Sequence, residues 1–174
     1  VSGDAGGVAV SGLSALVTMQ HQEPANDALA VNGLSGNDRI SAVALAAQAI
    51  VLSLDGGDGD DTVAGGAGAE TLRGGDGDDS IDGNAGADVG LMGDGDDTFV
   101  LDDNGAAGAE QFDLSANGSR LRFFRVQGNI TMDTAGVERV EVNAFGGADL
   151  VTLNDLTGTD VTEVNLNLAA SGGG

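Results

Sequence analysis

Residues 56–100 read GGDGDDTVA (56–64), GGAGAETLR (65–73), GGDGDDSID (74–82), GNAGADVGL (83–91) and MGDGDDTFV (92–100), five units of nine residues in unbroken phase. The shared template is G-G-x-G-x-D-x-U-x, with U a large apolar residue. The units at 56–64 and 74–82 match every template position, and the unit at 92–100 misses only its first glycine, where Met92 stands. Chance richness in Gly and Asp does not hold phase over 45 residues. The glycines have a physical purpose, since only glycine reaches positive φ at no steric cost, and tight turns need such angles.

At these residues the chain resembles the hemolysin-type calcium-binding, or repeats-in-toxin, family, whose nonapeptide builds a parallel β-helix. The resemblance implies an all-β fold, a parallel β-roll or solenoid. The first six residues of each unit turn the chain. The last three form a short strand whose middle residue points inward: Val63, Leu72, Ile81 and Phe99, with Gly90 the exception. Two units make one coil of 18 residues, so alternate units stack on the same side. The three strong units share one side and place Asp61, Asp79 and Asp97 at the sixth position. The two weaker units share the other side and carry Glu70 and Asp88 there, which predicts a lopsided object.

Calcium takes six to eight hard oxygen ligands, and a stacked pair of turns can supply them from carboxylates and carbonyls. The resemblance implies that each ion lies between two loops of one side. Two sites are expected, Asp61/Asp79 and Asp79/Asp97, with carbonyl ligands from Gly57, Gly59, Gly75, Gly77, Gly93 and Gly95. A third, poorer site would join Glu70 to Asp88, where the extra methylene of glutamate alters the geometry. The bland alternative, an acidic Gly-rich linker, does not account for the fixed period or the regular apolar eighth position. An EF-hand-like start at Asp78-x-Ser80-x-Asp82-Gly83 is discounted, because its twelfth position is Val89 and no amphipathic helices flank it.

Composition constrains the partners. The formal net charge is −22 over 174 residues, and 56–100 holds 12 acids against Arg73 alone, or −11. Charge at that density opposes compaction unless cations neutralise it. It also makes nucleic acid and anionic membrane poor partners. There is no Lys, Cys, Trp or Tyr. Without disulfides, stability must come from packing, backbone ladders and metal. No apolar run reaches the ~18 residues of a membrane span. The start, Val1-Ser2-Gly3-Asp4, has no basic segment followed by an apolar one. Secretion is expected from the resemblance. The end, Ser171-Gly172-Gly173-Gly174, reads as a linker, so a segment of something longer is expected.

The flanks align with each other. Residues 2–19 match 115–132 without gaps, with Val8 on Leu121, Val10 on Phe123, Leu13 on Val126, Val17 on Ile130 and Met19 on Met132. After a two-residue offset, Leu29–Asn32 matches Val140–Asn143, Gly36–Ile40 matches Gly147–Val151, and Ile50, Leu52 and Leu54 match Val164, Leu166 and Leu168. The expected organisation is a β module at 1–55, a calcium roll at 56–100, a connector at 101–114 and a second, duplicate β module at 115–174 with a Gly-rich end. Apolar alternation marks both modules as β. Gly36-Asn37-Asp38-x-Ile40 and Gly147-Ala148-Asp149-x-Val151 repeat the second half of the nonapeptide, which favours one continuous solenoid over two small sandwiches. Ala42–Ala49 fits a short helix by propensity or an Ala-rich strand or turn equally well. Asp102 and Asp103 either cap the last calcium loop or are simply solvated.

Catalytic constellations are hard to assemble. His21 is the only histidine and sits in a polar turn segment near Pro24, and no HExxH, GxSxG or phosphate loop is present. A carboxylate-pair glycosidase is not excluded by motif, but the acids lie in repeat loops and the aromatic residues that line sugar clefts are missing. Arg120, Arg122 and Arg125 alternate with Leu121 and Phe123, either as an anion-binding face or as an exposed strand face paired with local acids. Phe123, Phe124 and Phe145 are expected in the core. The resulting expectation is a non-enzymatic, calcium-binding structural module of a secreted or cell-surface bacterial protein, a stalk, adhesin segment or filament subunit. No cap is evident in the sequence, so end-to-end association is expected. The rivals are a secretion and folding domain of an exported hydrolase, and a calcium buffer or matrix protein.

Overall fold

A computed structural model of the chain describes residues 1–4, 6–12, 17–20, 23, 26–102, 111–125, 130–144 and 149–168. His21, Pro24, Leu13, Val126, Asp103, Phe145, Gly147 and the end from 169 onward lie outside the described residues. The described chain is all β. The first flank gives β1 (Ser2–Asp4), β2 (Gly7–Val10), β3 (Val17–Met19), β4 (Ala28–Ser35), β5 (Arg39–Ser41) and β6 (Ala44–Leu45). The repeats give β7 (Val51–Asp58), β8 (Thr62–Ala64), β9 (Thr71–Asp76), β10 (Ser80–Asp82), β11 (Val89–Asp94) and β12 (Thr98–Asp102). The second flank gives β13 (Gln111–Asn117), β14 (Arg120–Arg125), β15 (Ile130–Ala135), β16 (Arg139–Asn143), β17 (Leu150–Leu153) and β18 (Glu163–Asn167).

Two sheets face each other across a thin core. One is parallel throughout, in the order β18-β16-β12-β10-β8-β5. The other runs β17-β13-β14-β15-β11-β9-β7-β4, with β14 alone antiparallel to its neighbours. The chain alternates between them through the repeats, and each return advances by 18 residues: Thr62 pairs with Ser80 and Ser80 with Thr98, while Ser53 pairs with Thr71 and Thr71 with Val89. The period of the sequence is thus the circumference of a coil. Flank strands β4, β5, β16 and β18 join the same two sheets, so the parallel stack continues beyond the repeats on both sides.

The inward residues form columns. Ile40, Val63, Ile81, Phe99, Val140 and Val164 lie in register across one sheet. Val31, Leu54, Leu72, Gly90 and Thr134 do so across the other. Val63, Leu72, Ile81 and Phe99 are fully buried. Such columns remove apolar surface from water at about 25 cal/mol per Å². Each coil contributes only a few side chains, so the core alone is thin.

The flanks share a local device. Residues β1–β3 and β13–β15 each form an antiparallel meander, and the first hairpins agree in register, Gly3 with Val8 and Ala116 with Leu121. The resemblance then stops. The second meander is spliced into the large sheet between β11 and β17. The first forms a separate sheet, β3-β2-β1-β6, and buries Val8 and Val10. Aligned strands β4 and β16 fall on opposite sheets.

Several expectations need correction. The first meander lies over the β4/β5 end of the stack, where Val1 and Val10 line a cleft with Val31 and Ile40, so that end has a cover. Of the two readings left open for Ala42–Ala49, strand and turn hold: β6 and tight turns occupy it, with Gln48 at φ 60°. Phe124 is half-buried under the Arg122 guanidinium, 5.5 Å from its ring centre, whereas Phe123 is buried and stacks on Phe112 at 5.8 Å. Arg125 is buried rather than on an exposed face. Leu101 and Asp102 belong to β12, and 111–114 to β13.

Candidate metal centre

The sixth position of each strong unit stands where the chain leaves its turn and enters the strand. That placement buries the carboxylate against the next coil. Asp61, Asp79 and Asp97 are 2%, 2% and 0% exposed. They are joined in a ladder: the Asp61 N–H donates to Asp79 Oδ1 at 2.8 Å, and the Asp79 N–H donates to Asp97 Oδ1 at 2.8 Å. Two further rungs extend it, from the Asp38 N–H to Asp61 Oδ1 (2.7 Å) and from the Asp97 N–H to Glu138 Oε2 (3.0 Å). The other carboxylate oxygen, Oδ2, of Asp61, Asp79 and Asp97 is buried and has no hydrogen-bond partner. An ionised oxygen left so costs several kcal/mol, and here the situation recurs at a fixed spacing.

The turns supply the second kind of donor. In all three strong units the glycines at the second and fourth template positions have positive φ, from 112° at Gly57 to 146° at Gly95. Their Cα atoms lie directly against the preceding coil's carbonyls: Gly75 against Gly57 O, Gly93 against Gly75 O, Gly77 against Gly59 O and Gly95 against Gly77 O. A Cβ at any of these would collide with that oxygen. The first glycine has a separate task, since a Cβ on Gly56 or Gly74 would strike Oδ2 of its own unit's aspartate.

Electrostatics point the same way. Burial is the main cause of a raised carboxyl pKa at Asp79 and at Asp97, the latter to about 6, with neighbouring acids adding to it and the donated N–H opposing it. Outside the buried row, Asp58, Asp76 and Asp94 pair in register along β7, β9 and β11 and are exposed. Asp60, Asp78 and Asp96 form an outer ladder, with Asp78 N–H to Asp60 Oδ1 at 3.2 Å and Asp96 N–H to Asp78 Oδ1 at 3.0 Å. The sequence reading missed these outer columns. Their signal was the recurrent Asp at the third and fifth positions of the strong units alone.

The opposite edge is built differently. Glu70 and Asp88 are brought together, with the Glu70 N–H donating to Asp88 Oδ1 at 2.8 Å. However, the Glu70 carboxylate folds back on its own turn and accepts from Gly66 N–H (3.1 Å) and Gly68 N–H (3.0 Å). The turn at 65–70 has no positive-φ glycine. Asp88 Oδ2 is buried without a partner, and burial with the Glu70 charge beside it pushes its carboxyl up to about 8.

This donor set fits a hard divalent cation. Among the described residues no three Asp, Glu or His side chains converge on one point. A cation here must therefore combine a few carboxylate oxygens with turn carbonyls, as calcium does. The orphaned Oδ2 atoms are the observation that carries the fit. Comparison with known proteins agrees. The RTX calcium-binding nonapeptide repeat matches residues 53–69 and 64–99, in four copies. Neither the curated proteins nor the solved structures contain a match to the chain. Parallel coils of nine-residue units, aspartates at their sixth positions and the matched segments lead to one conclusion: residues 53–99 of this chain are RTX calcium-binding nonapeptide repeats.

Proposed function

We propose that calcium binds between successive turns of the strong edge and that this binding is what folds the chain. Asp61, Asp79 and Asp97 would hold it by carboxylate, with carbonyls of Gly57, Gly59, Gly75, Gly77, Gly93 and Gly95. The bound ion supplies positive charge to a row of buried carboxylates that lacks it. Asp79 belongs to both the Asp61/Asp79 and the Asp79/Asp97 pairs. Glu70 and Asp88 form at best a weaker site, because the Glu70 oxygens are occupied by its own turn. The single supporting observation is the repeated buried Oδ2 without a partner. Equilibrium dialysis of the intact chain against calcium tests it. Uptake is expected, and it is expected to be lost when Asp61, Asp79 and Asp97 are all changed to Asn.

The module's role in this reading is structural: a calcium-gated stalk, adhesin segment or filament unit of a secreted or cell-surface bacterial protein. In a cell interior poor in calcium it stays expanded, and outside it folds. Extracellular modules of this kind bind with Kd of about 10⁻⁴–10⁻³ M. The far end of the stack favours association. Leu150 and Leu153 on β17, with Leu166 and Leu168 at β18, are 41% to 58% exposed, and among the described residues both strands are sheet edges. An uncovered edge with apolar side chains is a template for a further strand. That strand belongs either to a following coil or to another copy.

A further inference from the structure

The turn at residues 33–38, ahead of the matched repeats, has the same construction as the strong turns. Gly33-Leu34-Ser35-Gly36-Asn37-Asp38-Arg39-Ile40-Ser41 occupies the nine template positions in order. The β4/β7 ladder pairs Leu34 with Gly57 and Ser35 with Asp58, as β7/β9 pairs Gly57 with Gly75 and Asp58 with Asp76. Arg39 and Ile40 pair with Thr62 and Val63, as those do with Ser80 and Ile81. The Gly36 N–H donates to Asp58 O at 2.8 Å, as the Gly59 N–H does to Asp76 O at 2.7 Å. Thr62 N–H donates to Asp38 O at 2.9 Å, as Ser80 N–H does to Asp61 O at 2.9 Å.

The parts that would face a cation are also present. Leu34 has φ 82° and Gly36 φ 110°, the left-handed conformation found at the second and fourth template positions of the strong units. Leu34 O lies against Gly57 and Gly36 O against Gly59, the contacts that Gly57 O and Gly59 O make one coil later. Asp61 Oδ1 is taken by the Asp38 N–H, so its carboxylate is turned toward this turn, and its Oδ2 is buried without a partner in a residue 2% exposed. A leucine held at positive φ costs about 1–2 kcal/mol. Its side chain, 73% exposed, offers no packing in return.

We propose that a further calcium site lies between the 33–38 and 56–61 turns, bounded by the carbonyls of Leu34 and Gly36 and the carboxylates of Asp38 and Asp61. It rests on the reading of the strong edge given above, and it moves the start of the metal-binding roll from residue 56 to residue 33. The left-handed conformation at Leu34 gives its carbonyl the orientation that the second-position glycines give theirs in the later turns. Sequence period does not reveal this turn, since it precedes its stacking partner by 23 residues rather than 18.

Calcium stoichiometry and hydrogen exchange on the intact chain test the site. Asp38→Asn should take up one calcium fewer than the parent and lose calcium-dependent protection at 33–38, while protection at 74–97 remains. Leu34→Gly relieves the left-handed strain and should tighten the same site about fivefold, leaving the others unchanged. Unaltered stoichiometry in Asp38→Asn, with no calcium-dependent protection at 33–38 in either variant, overturns the proposal while the repeat sites stand. Absence of calcium-dependent protection anywhere overturns both readings.

Discussion

Phe99 fills the space that Gly90 leaves open. The two face each other across the core from opposite sheets, and a Cβ on Gly90 would come within 3.2 Å of Phe99 Cε2 and 2.8 Å of Thr134 Cγ2. The unit with no apolar eighth residue therefore sits opposite the unit with the largest one. Gly90→Val should destabilise the calcium-loaded chain through overpacking, by about 1–3 kcal/mol. Phe99→Ala should cost about 3–5 kcal/mol through the cavity. Thermal unfolding at fixed calcium checks both, and a Gly90→Val chain as stable as the parent would refute the complementarity.

Asp79 and Asp88 should respond unequally to removal. Asp79 stands in the middle of the strong edge, with rungs to Asp61 and Asp97. Asp88 faces a glutamate already bound to its own turn. Asp79→Ala should impair the sites on both sides of it, and Asp88→Ala should leave most calcium uptake intact. Calorimetric titration of the two variants decides the matter, and equal losses would show that the edges are not distinct.

Replacing Asp79 by Asn has a further consequence. The amide keeps an Oδ1 acceptor for the Asp61 N–H but removes a buried charge. In chelator, Asp79→Asn should be more stable than the parent; in calcium it should be less stable. The β circular-dichroism signal in chelator and denaturant unfolding in calcium test the reversal of sign.

Acid should stabilise the metal-free chain. Burial raises the Asp97 carboxyl from 3.8 to about 6, and raises those of Asp79 and Asp88 as well. Between about pH 4 and pH 6 the folded chain then holds more protons than the unfolded one, so stability falls as pH rises through that window. In chelator the β signal that the metal-free chain lacks near neutral pH should partly return when pH is lowered from 7 to about 5. In calcium the slope should invert, because protons compete with the ion for the same oxygens.

The repeats were legible in the sequence because period, glycine placement and apolar eighth position all express one coil. The lopsided edges were legible too, from the alternation of strong and weak units. Gly36-Asn37-Asp38-x-Ile40 was legible as half of the motif, but the features that break the period were not legible in full. The turn at 33–38 is displaced by the longer segment around β6, and Leu34 masks its second template position. The insertion of β13–β15 into one sheet, and the covering of the β4/β5 end by the first meander, depend on pairings distant in sequence. The return of Glu70 to Gly66 and Gly68 follows from one extra methylene, whose reach no spacing rule conveys.

The β18 end should govern association. Leu166→Lys with Leu150→Lys places charges on both exposed edges and should abolish self-association in calcium without changing calcium stoichiometry. Sedimentation velocity reads the result. A parent chain that is strictly monomeric at high concentration in calcium would contradict the association reading.

Far-ultraviolet circular dichroism of the intact chain tests most directly whether calcium is the agent of folding. In chelator the repeat region should lack β signal, because 12 acids in residues 56–100 repel one another over a thin core. Addition of calcium to about 10 mM, roughly ten times the weaker limit for such sites, should produce the β spectrum in a cooperative transition. A spectrum that is the same in chelator and in calcium would contradict the account.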